Sequence, residues 1–300
     1  MNISSRKIIE NAVLTEVAIP GFNIPYLPMM EPVINAIKDT RSFGFIMVAR
    51  LEWMKFASGG VMEIRKEYDK FRDESFTRLH LDHVPVIDED NLVVDYMAVI
   101  EEALELGYNS VMVDGSRLTL DENIKATRKV CEIAHKKGIA VEAELGAVFG
   151  HEEGPASSYE ELFSSGKGFT DKDDAVKFVK ETEVDWLSVA VGNVHGAVSK
   201  AKKDAAKVEA RLNIERIKEI SETCHIPLVL HGGTGINKEY IAGGIKNGIA
   251  KVNVATAIRQ PYEKLMKESI TKAREAVYKA TIDMIRTELN SAGINEKVTK

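Results

Sequence analysis

Three histidines stand just past three short apolar runs. Leu79-His80-Leu81 runs into Asp82 and His83, Trp186–Val191 runs into Gly192-Asn193-Val194-His195, and Pro227–Leu230 runs into His231. Strands built only for a core do not end on charge, whereas strand ends that present it are where a barrel keeps its chemistry. Taken singly, each histidine reads as an ordinary packed or hydrogen-bonded residue. Together, three neutral imidazoles converging from different strands offer the three protein ligands of a catalytic zinc, with the fourth position open to substrate.

Carboxylates accompany them. Asp82 adjoins His83, where it either orients a metal site or exchanges a proton with substrate. Glu142 and Glu144 lie two apart in Val141-Glu142-Ala143-Glu144-Leu145, so both face one way, and neither can be charged inside a barrel without a partner. Glu144 reads as a metal ligand or its support, with a structural ion pair as the rival. Asp114, closing another strand, carries the same ambiguity. Glu152 and Glu153 ride on a long loop, where a carboxylate either swings toward a carbanion or is simply solvated. His231-Gly232-Gly233-Thr234-Gly235 is expected to open a helix, aiming bare amides, a hydroxyl and the positive helix end at an anion. Asn253-Val254-Ala255-Thr256 adds an amide and a second hydroxyl. Loops after strands seven and eight are the usual phosphate site of barrels. A Schiff-base lysine would need to sit at the inward end of a strand. Lys251 begins its strand in this reading, so the pattern favours metal.

These residues need strands to carry them, and the chain supplies eight strand–helix units. Strands are expected at Val17–Asn23, Gly44–Ala49, Phe76–Asp82, Ser110–Asp114, Ala140–Leu145, Trp186–Val191, Pro227–Leu230 and Lys251–Val254. Helices are expected at Met29–Asp39, Val61–Phe71, Val93–Leu106, Asp121–Lys137, Asp171–Glu181 (capped by Thr170), Asn213–Thr223 and Lys238–Asn247, with a helical tail to about Leu289. A first helix, capped by Ser4 or Ser5 and running through about Thr15, would close the barrel bottom. Continuous apolar strands alternating with helices predict a closed parallel (β/α)8 barrel buried on both faces. An open doubly wound sheet is disfavoured, because no Gly-rich dinucleotide fingerprint follows the first strand. No repeat or linker marks a boundary, so residues 1–300 read as a single domain. Two connections, Val84–Leu92 and Gly146–Phe169, are too long for plain turns and sit where barrels build active sites. A third, Gly196–Leu212, is basic in its first half and reads as a solvated loop or an anion-facing flap. The apolar face of the tail, Tyr262, Leu265, Ile270, Ala273, Ala276 and Val277, packs on the barrel or on a partner subunit.

Composition narrows the partners. A net charge of −6 gives no general attraction for nucleic acid or an anionic membrane, so an anionic substrate must be caught by local groups. The apolar fraction of 44% supports a real core. Cys131 and Cys224 form no CxxC pair, which argues against a disulfide framework or thiolate metal site and fits a reducing cytoplasm. Neither a signal peptide nor a membrane span is expected.

Six ordered segments, LHLDH, SVMVDGS, VEAELG, VGNVHG, LVLHGGTG and KVNVAT, closely resemble the class II, metal-dependent ketose-bisphosphate aldolases, the fructose- and tagatose-bisphosphate aldolase type. The resemblance spans about Gly21 to Thr256 and continues weakly into the tail. It implies a TIM barrel, homodimeric or homotetrameric, that cleaves a sugar phosphate to dihydroxyacetone phosphate and an aldehyde. It implies zinc on His83, His195 and His231, with Glu144 as alternate ligand and Asp114 near a second metal position. By motif, Asp82 is the acid that protonates or polarises the aldehyde carbonyl, and Glu152 moves the proton at the dihydroxyacetone phosphate carbon. Gly196, Gly232, Gly233, Thr234, Asn253, Ala255 and Thr256, with Asn23, match positions that hold phosphate and ketose, some also supporting a monovalent cation (Na+ or K+). The departures matter. Arg50 lies where a Ser-containing segment is usual, Val84 replaces a usual Gly, Ser199 takes the slot of the flap lysine with Lys200 next, and Arg117 stands where histidine is frequent. Ala255 replaces an Asp of the fructose-bisphosphate enzymes and looks more like the tagatose type. The dihydroxyacetone phosphate half-site therefore reads as intact and the aldehyde end as remodelled, with Arg50 or Arg117 either pairing an oxyanion there or forming surface ion pairs. A sugar-phosphate isomerase or epimerase using the same enediolate, and a non-catalytic sugar-phosphate-binding barrel, are the competing readings.

Overall fold

A computed structural model describes residues 3–146, 159–194 and 210–300. Eight parallel strands close in sequence order: β1 Ile19–Asn23, β2 Gly44–Ala49, β3 Thr77–Pro85, β4 Ser110–Asp114, β5 Ala140–Leu145, β6 Trp186–Val189, β7 Leu228–Leu230 and β8 Ile249–Val254. β8 pairs back onto β1 through Ile19 with Lys251 and Gly21 with Asn253, which abolishes both sheet edges. The molecule is thus a (β/α)8 barrel, and the open-sheet alternative is excluded.

Burial explains why the strands read as apolar runs: outward residues such as Leu79, Leu81, Val111 and Val113 pack under the helices, while inward ones fill the barrel. The interior is layered. Phe45, Met47, Trp186 and Val229 form an apolar floor with Ile8, Ile9 and Ala12 of the first helix, Ser5–Leu14, whose start Ser4 caps. Ile294 and Val298 of the C-terminal segment join the same plug. Above the floor the inward positions turn polar: His80, Asp82, Glu142, Glu144, His231, Lys251 and Asn253 are all buried.

Several details differ from the sequence reading. β3 runs on to Pro85, and its pairing with β4 slips between Leu81 and Val84, a bulge placed at Asp82-His83. Asp171, not Thr170, caps the helix Lys172–Thr182, accepting from the amides of Asp173 and Asp174. Thr170 is buried instead, its hydroxyl donating to the Leu145 carbonyl and accepting from the Ala190 amide. Lys251 is the third residue of β8, not its first. Three short α-helices were not anticipated, Arg50–Lys55, Tyr159–Ser165 and Asn295–Val298. The tail forms Thr256–Leu265 and Ile270–Asp283 and packs on the molecule's own helix Met30–Asp39, with Arg274 paired to Glu31 and Tyr278 bonded to Asp39 at 2.7 Å. Ala273 and Val277 are buried there as the stripe predicts, but Ile270 is 46% exposed because it opens its helix at the surface.

Candidate metal and substrate site

The polar layer opens at the C-terminal ends of the strands. His83 sits in the β3 bulge with φ of 33°, a left-handed conformation that histidine rarely adopts. Such strain persists only where surroundings over-determine it, and it clusters at working sites. The bulge turns the imidazole toward β7, so the His83 and His231 rings lie 4.5 Å apart at 69°. Nδ1 of His83 bonds to Asp114 Oδ2 at 3.0 Å, and Ser116 holds that carboxylate through its amide and hydroxyl. His231 lies between two acids, with Nε2 2.8 Å from Glu142 Oε1 and Nδ1 3.1 Å from Glu144 Oε2. Ser188 donates to Glu144 from the neighbouring strand.

Asp82 is 2% exposed and gripped from both flanks: Asn23 of β1 donates to one oxygen at 2.9 Å and Asn253 of β8 to the other at 3.1 Å. Burial alone would raise its pKa, but His83, His231 and Lys251 hold the carboxyl below the usual range. Burial likewise opposes a charged His83, yet Asp82, Asp114 and Glu144 outweigh it and push the imidazole up to about 10. The acids therefore outnumber the cations, and a bound cation would take the place of those protons. Asp82, His83 and His231 bring ligand atoms within 4.8 Å of one another, as do His83, Asp114 and Glu144. Imidazole nitrogens with carboxylate oxygens are a zinc-type donor set, so the residues present fit the metal. Asn253 Oδ1 is buried with no hydrogen-bond partner among the described residues, an acceptor suited to a hydroxyl or cation.

The anion cradle differs from expectation. The segment after β7 does not open directly into a helix: Lys238–Lys246 begins four residues past Thr234 and is capped by Asn237. Gly232 has φ of 69°, and the Gly233 amide is bonded to the Asn253 carbonyl at 3.2 Å, so it is not aimed at a ligand. The helix Thr256–Leu265, by contrast, follows β8 immediately, and Ala255 at its start offers no side-chain cap. Its first amides, like those of any helix start, lack partners within the helix.

Arg50 is paired to Asp88 at 3.3 Å and Arg117 is bonded to Asn91 at 3.1 Å, so both tie down the turn after β3. Glu152, His195, Gly196 and Lys200 lie outside the described residues.

Sequence reasoning passed over Glu52 and the partners of Glu142. Glu52, buried in the helix Arg50–Lys55, accepts from the Ala49 amide at 2.7 Å and the Asn23 amide at 3.4 Å. Burial, with Asp82 adding to it, pushes its carboxyl up to about 8. Lys251, weighed in the sequence only as a nucleophile, points inward and bonds Glu142 at 2.7 Å.

Fold and site together define a (β/α)8 barrel whose C-terminal mouth gathers imidazoles and carboxylates able to hold a metal. The comparisons are consistent with this. The model of the family "Fructose-bisphosphate aldolase class-II" matches residues 3–296, and the chain belongs to that family. It is 30% identical over 288 residues to a fructose-bisphosphate aldolase of Ureaplasma parvum, covering 94% of this chain and 88% of that protein. Among solved structures, the YdjI aldolase of Escherichia coli superposes with a TM-score of 0.75 at 27% identity, over 98% of this chain and 99% of the other. A putative fructose-1,6-biphosphate aldolase from Coccidioides immitis gives 0.77 at 27% identity, over 97% and 98%. The protein is a class II aldolase, a lyase of carbohydrate metabolism.

Proposed function

We propose that this aldolase is zinc-dependent and reversibly cleaves a ketose (bis)phosphate to dihydroxyacetone phosphate and an aldehyde, with a remodelled, tagatose-like aldehyde end. The observation that carries the reading is the meeting of His83 and His231 beside Asp82. His195 completes the ligand set by its motif, with Glu144 as alternate ligand and Asp114 orienting His83. Zinc, when bound, supplies a Lewis acid for the ketose oxygens as charge develops. Asp82, kept ionised between two amides, takes the proton from the hydroxyl on the breaking bond and returns it to the aldehyde oxygen in condensation. Glu152 moves the proton at the dihydroxyacetone phosphate carbon. Asn23 and Asn253 fix Asp82. The amides from Ala255 onward hold phosphate together with Gly196, Lys200, Gly232 and Thr234, while Gly233 shapes the loop. Asn253 Oδ1 serves the ketose or a monovalent cation.

Lys251 is committed to Glu142 inside the barrel, which argues against Schiff-base chemistry. The whole chain is read as one catalytic domain, assembled as a homodimer or homotetramer in the cytoplasm. Cys131 and Cys224 are free, in keeping with a reducing compartment. No helix among the described residues is long and apolar enough to cross a membrane.

The test is a panel of ketose phosphates assayed for dihydroxyacetone phosphate release, with parent and Arg50→Ala. Preferential cleavage of a tagatose-type substrate, with Arg50→Ala altering turnover of one aldehyde class, supports the reading. Equal small effects across the panel would remove Arg50 from the aldehyde site.

A further inference from the structure

Beneath the metal-site residues lies an ion pair that the proposed chemistry does not use. Glu142 of β5 and Lys251 of β8 come from strands three apart in the barrel, and neither side chain is exposed to solvent. Lys251 Nζ bonds one oxygen of Glu142 at 2.7 Å, and the other oxygen is 2.8 Å from Nε2 of His231. His80 flanks the pair, its Nε2 3.6 Å from the oxygen that Lys251 holds and its Nδ1 bonded to Ser110.

A buried pair of this kind is weak evidence for stability, since well-packed apolar residues of similar volume often do as well. Its geometry has another consequence. A carboxylate only accepts hydrogen bonds, so Nε2 of His231 must carry the hydrogen it shares with Glu142. The other nitrogen, Nδ1, lies 3.1 Å from Glu144 on the His83 side, so a metal held there would take the place of any hydrogen that Nδ1 shares with Glu144, while Nε2 keeps its hydrogen on Glu142. We propose that the Glu142–Lys251 pair is a positioning device: Lys251 is a fixed internal counter-ion that keeps Glu142 an acceptor, and Glu142 thereby locks the tautomer and ring plane in which His231 presents Nδ1 to a divalent metal. The inference rests on the metal-dependent reading above. It makes the interior lysine of this barrel an electrostatic anchor two hydrogen bonds from the His231 ring rather than a nucleophile.

The test uses the full-length protein, stripped and reloaded with zinc or cobalt. Zinc affinity by chelator competition, the visible spectrum of the cobalt form and the melting temperature are compared for the parent and Glu142→Leu/Lys251→Met, in which both charges are removed together. The double variant is expected to melt within a few degrees of the metal-free parent, to bind zinc about 10- to 100-fold more weakly, and to show a shifted cobalt spectrum. Should it fail to fold, Glu142→Met/Lys251→Met is read in the same way, because it also removes both charges and the acceptor while keeping an unbranched side chain of similar length. Affinity within twofold of the parent with an unchanged cobalt spectrum, in whichever variant folds, would show the pair to be structural only. A parent that itself binds neither metal would be a separate result, overturning the metal reading and this inference with it.

Discussion

At the residue scale the decisive feature is that one acid is kept ionised and another neutral within the same mouth. Asp82 is pulled down by His83, His231 and Lys251, while Glu52, sharing the Asn23 amide with it, is pushed up to about 8 by burial. Replacing Asp82 by Asn keeps the shape and removes the base, so kcat for C–C cleavage is expected to fall about 10²- to 10⁴-fold with little change in zinc content; steady-state kinetics with metal analysis check it. Glu52 makes a prediction for stability. Its folded pKa is raised from 4.5, so its contribution is complete below about pH 4.5 and is lost as pH rises through about 8. Parent protein should therefore lose on the order of a few kcal/mol relative to Glu52→Gln between about pH 5 and 8, read from denaturant midpoints across that range. A parallel pH profile for the two proteins would show that Glu52 does not titrate there. His83, His231 and Asp82, which the fold brings together, could be singled out in the sequence because each stands at the end of an apolar run. Glu52 was not, since it stands in the first turn of a helix only six residues long, too short to show a period. The role of Lys251 was hidden too, because its partner lies 109 residues away and only barrel closure brings them together.

At the scale of elements, strand ends and caps set the site. The alternation of apolar strands and helices was sufficient to place all eight strands, with β2, β4 and β5 matching the expected bounds at both ends. What periodicity could not show is a local competition, as at Thr170 and Asp171, where two capping residues stand side by side. Asp171 takes the helix start and Thr170 the buried bridge between β5 and β6. Asp171→Ala should cost about 1 kcal/mol, as exposed caps do. Thr170→Val should cost about 1–3 kcal/mol, because it strands a buried carbonyl and a buried amide. Reversal of that order in thermal unfolding would contradict the assignment. Gly192, just past β6, has φ of 107°, and a Cβ there would lie 2.5 Å from the Arg211 carbonyl oxygen. Gly192→Ala is accordingly expected to destabilise by about 1–3 kcal/mol and lower the melting temperature by several degrees.

At the scale of the whole molecule, an apolar floor sealed by the terminal segments supports a charged upper layer, and closure of β8 onto β1 brings Asn253 and Asn23 to either side of Asp82. The same closure sets His231 of β7 against His83 of β3. The proposed function makes catalysis by that constellation depend on a divalent cation, and the direct measurement is ketose-phosphate cleavage by the same preparation before metal stripping, after it, and after zinc is restored. Activity should vanish on stripping, return with zinc, and leave no substrate trapped on the protein by borohydride at any stage. Undiminished turnover in the stripped protein, or a borohydride-stable adduct, would contradict the metal centre.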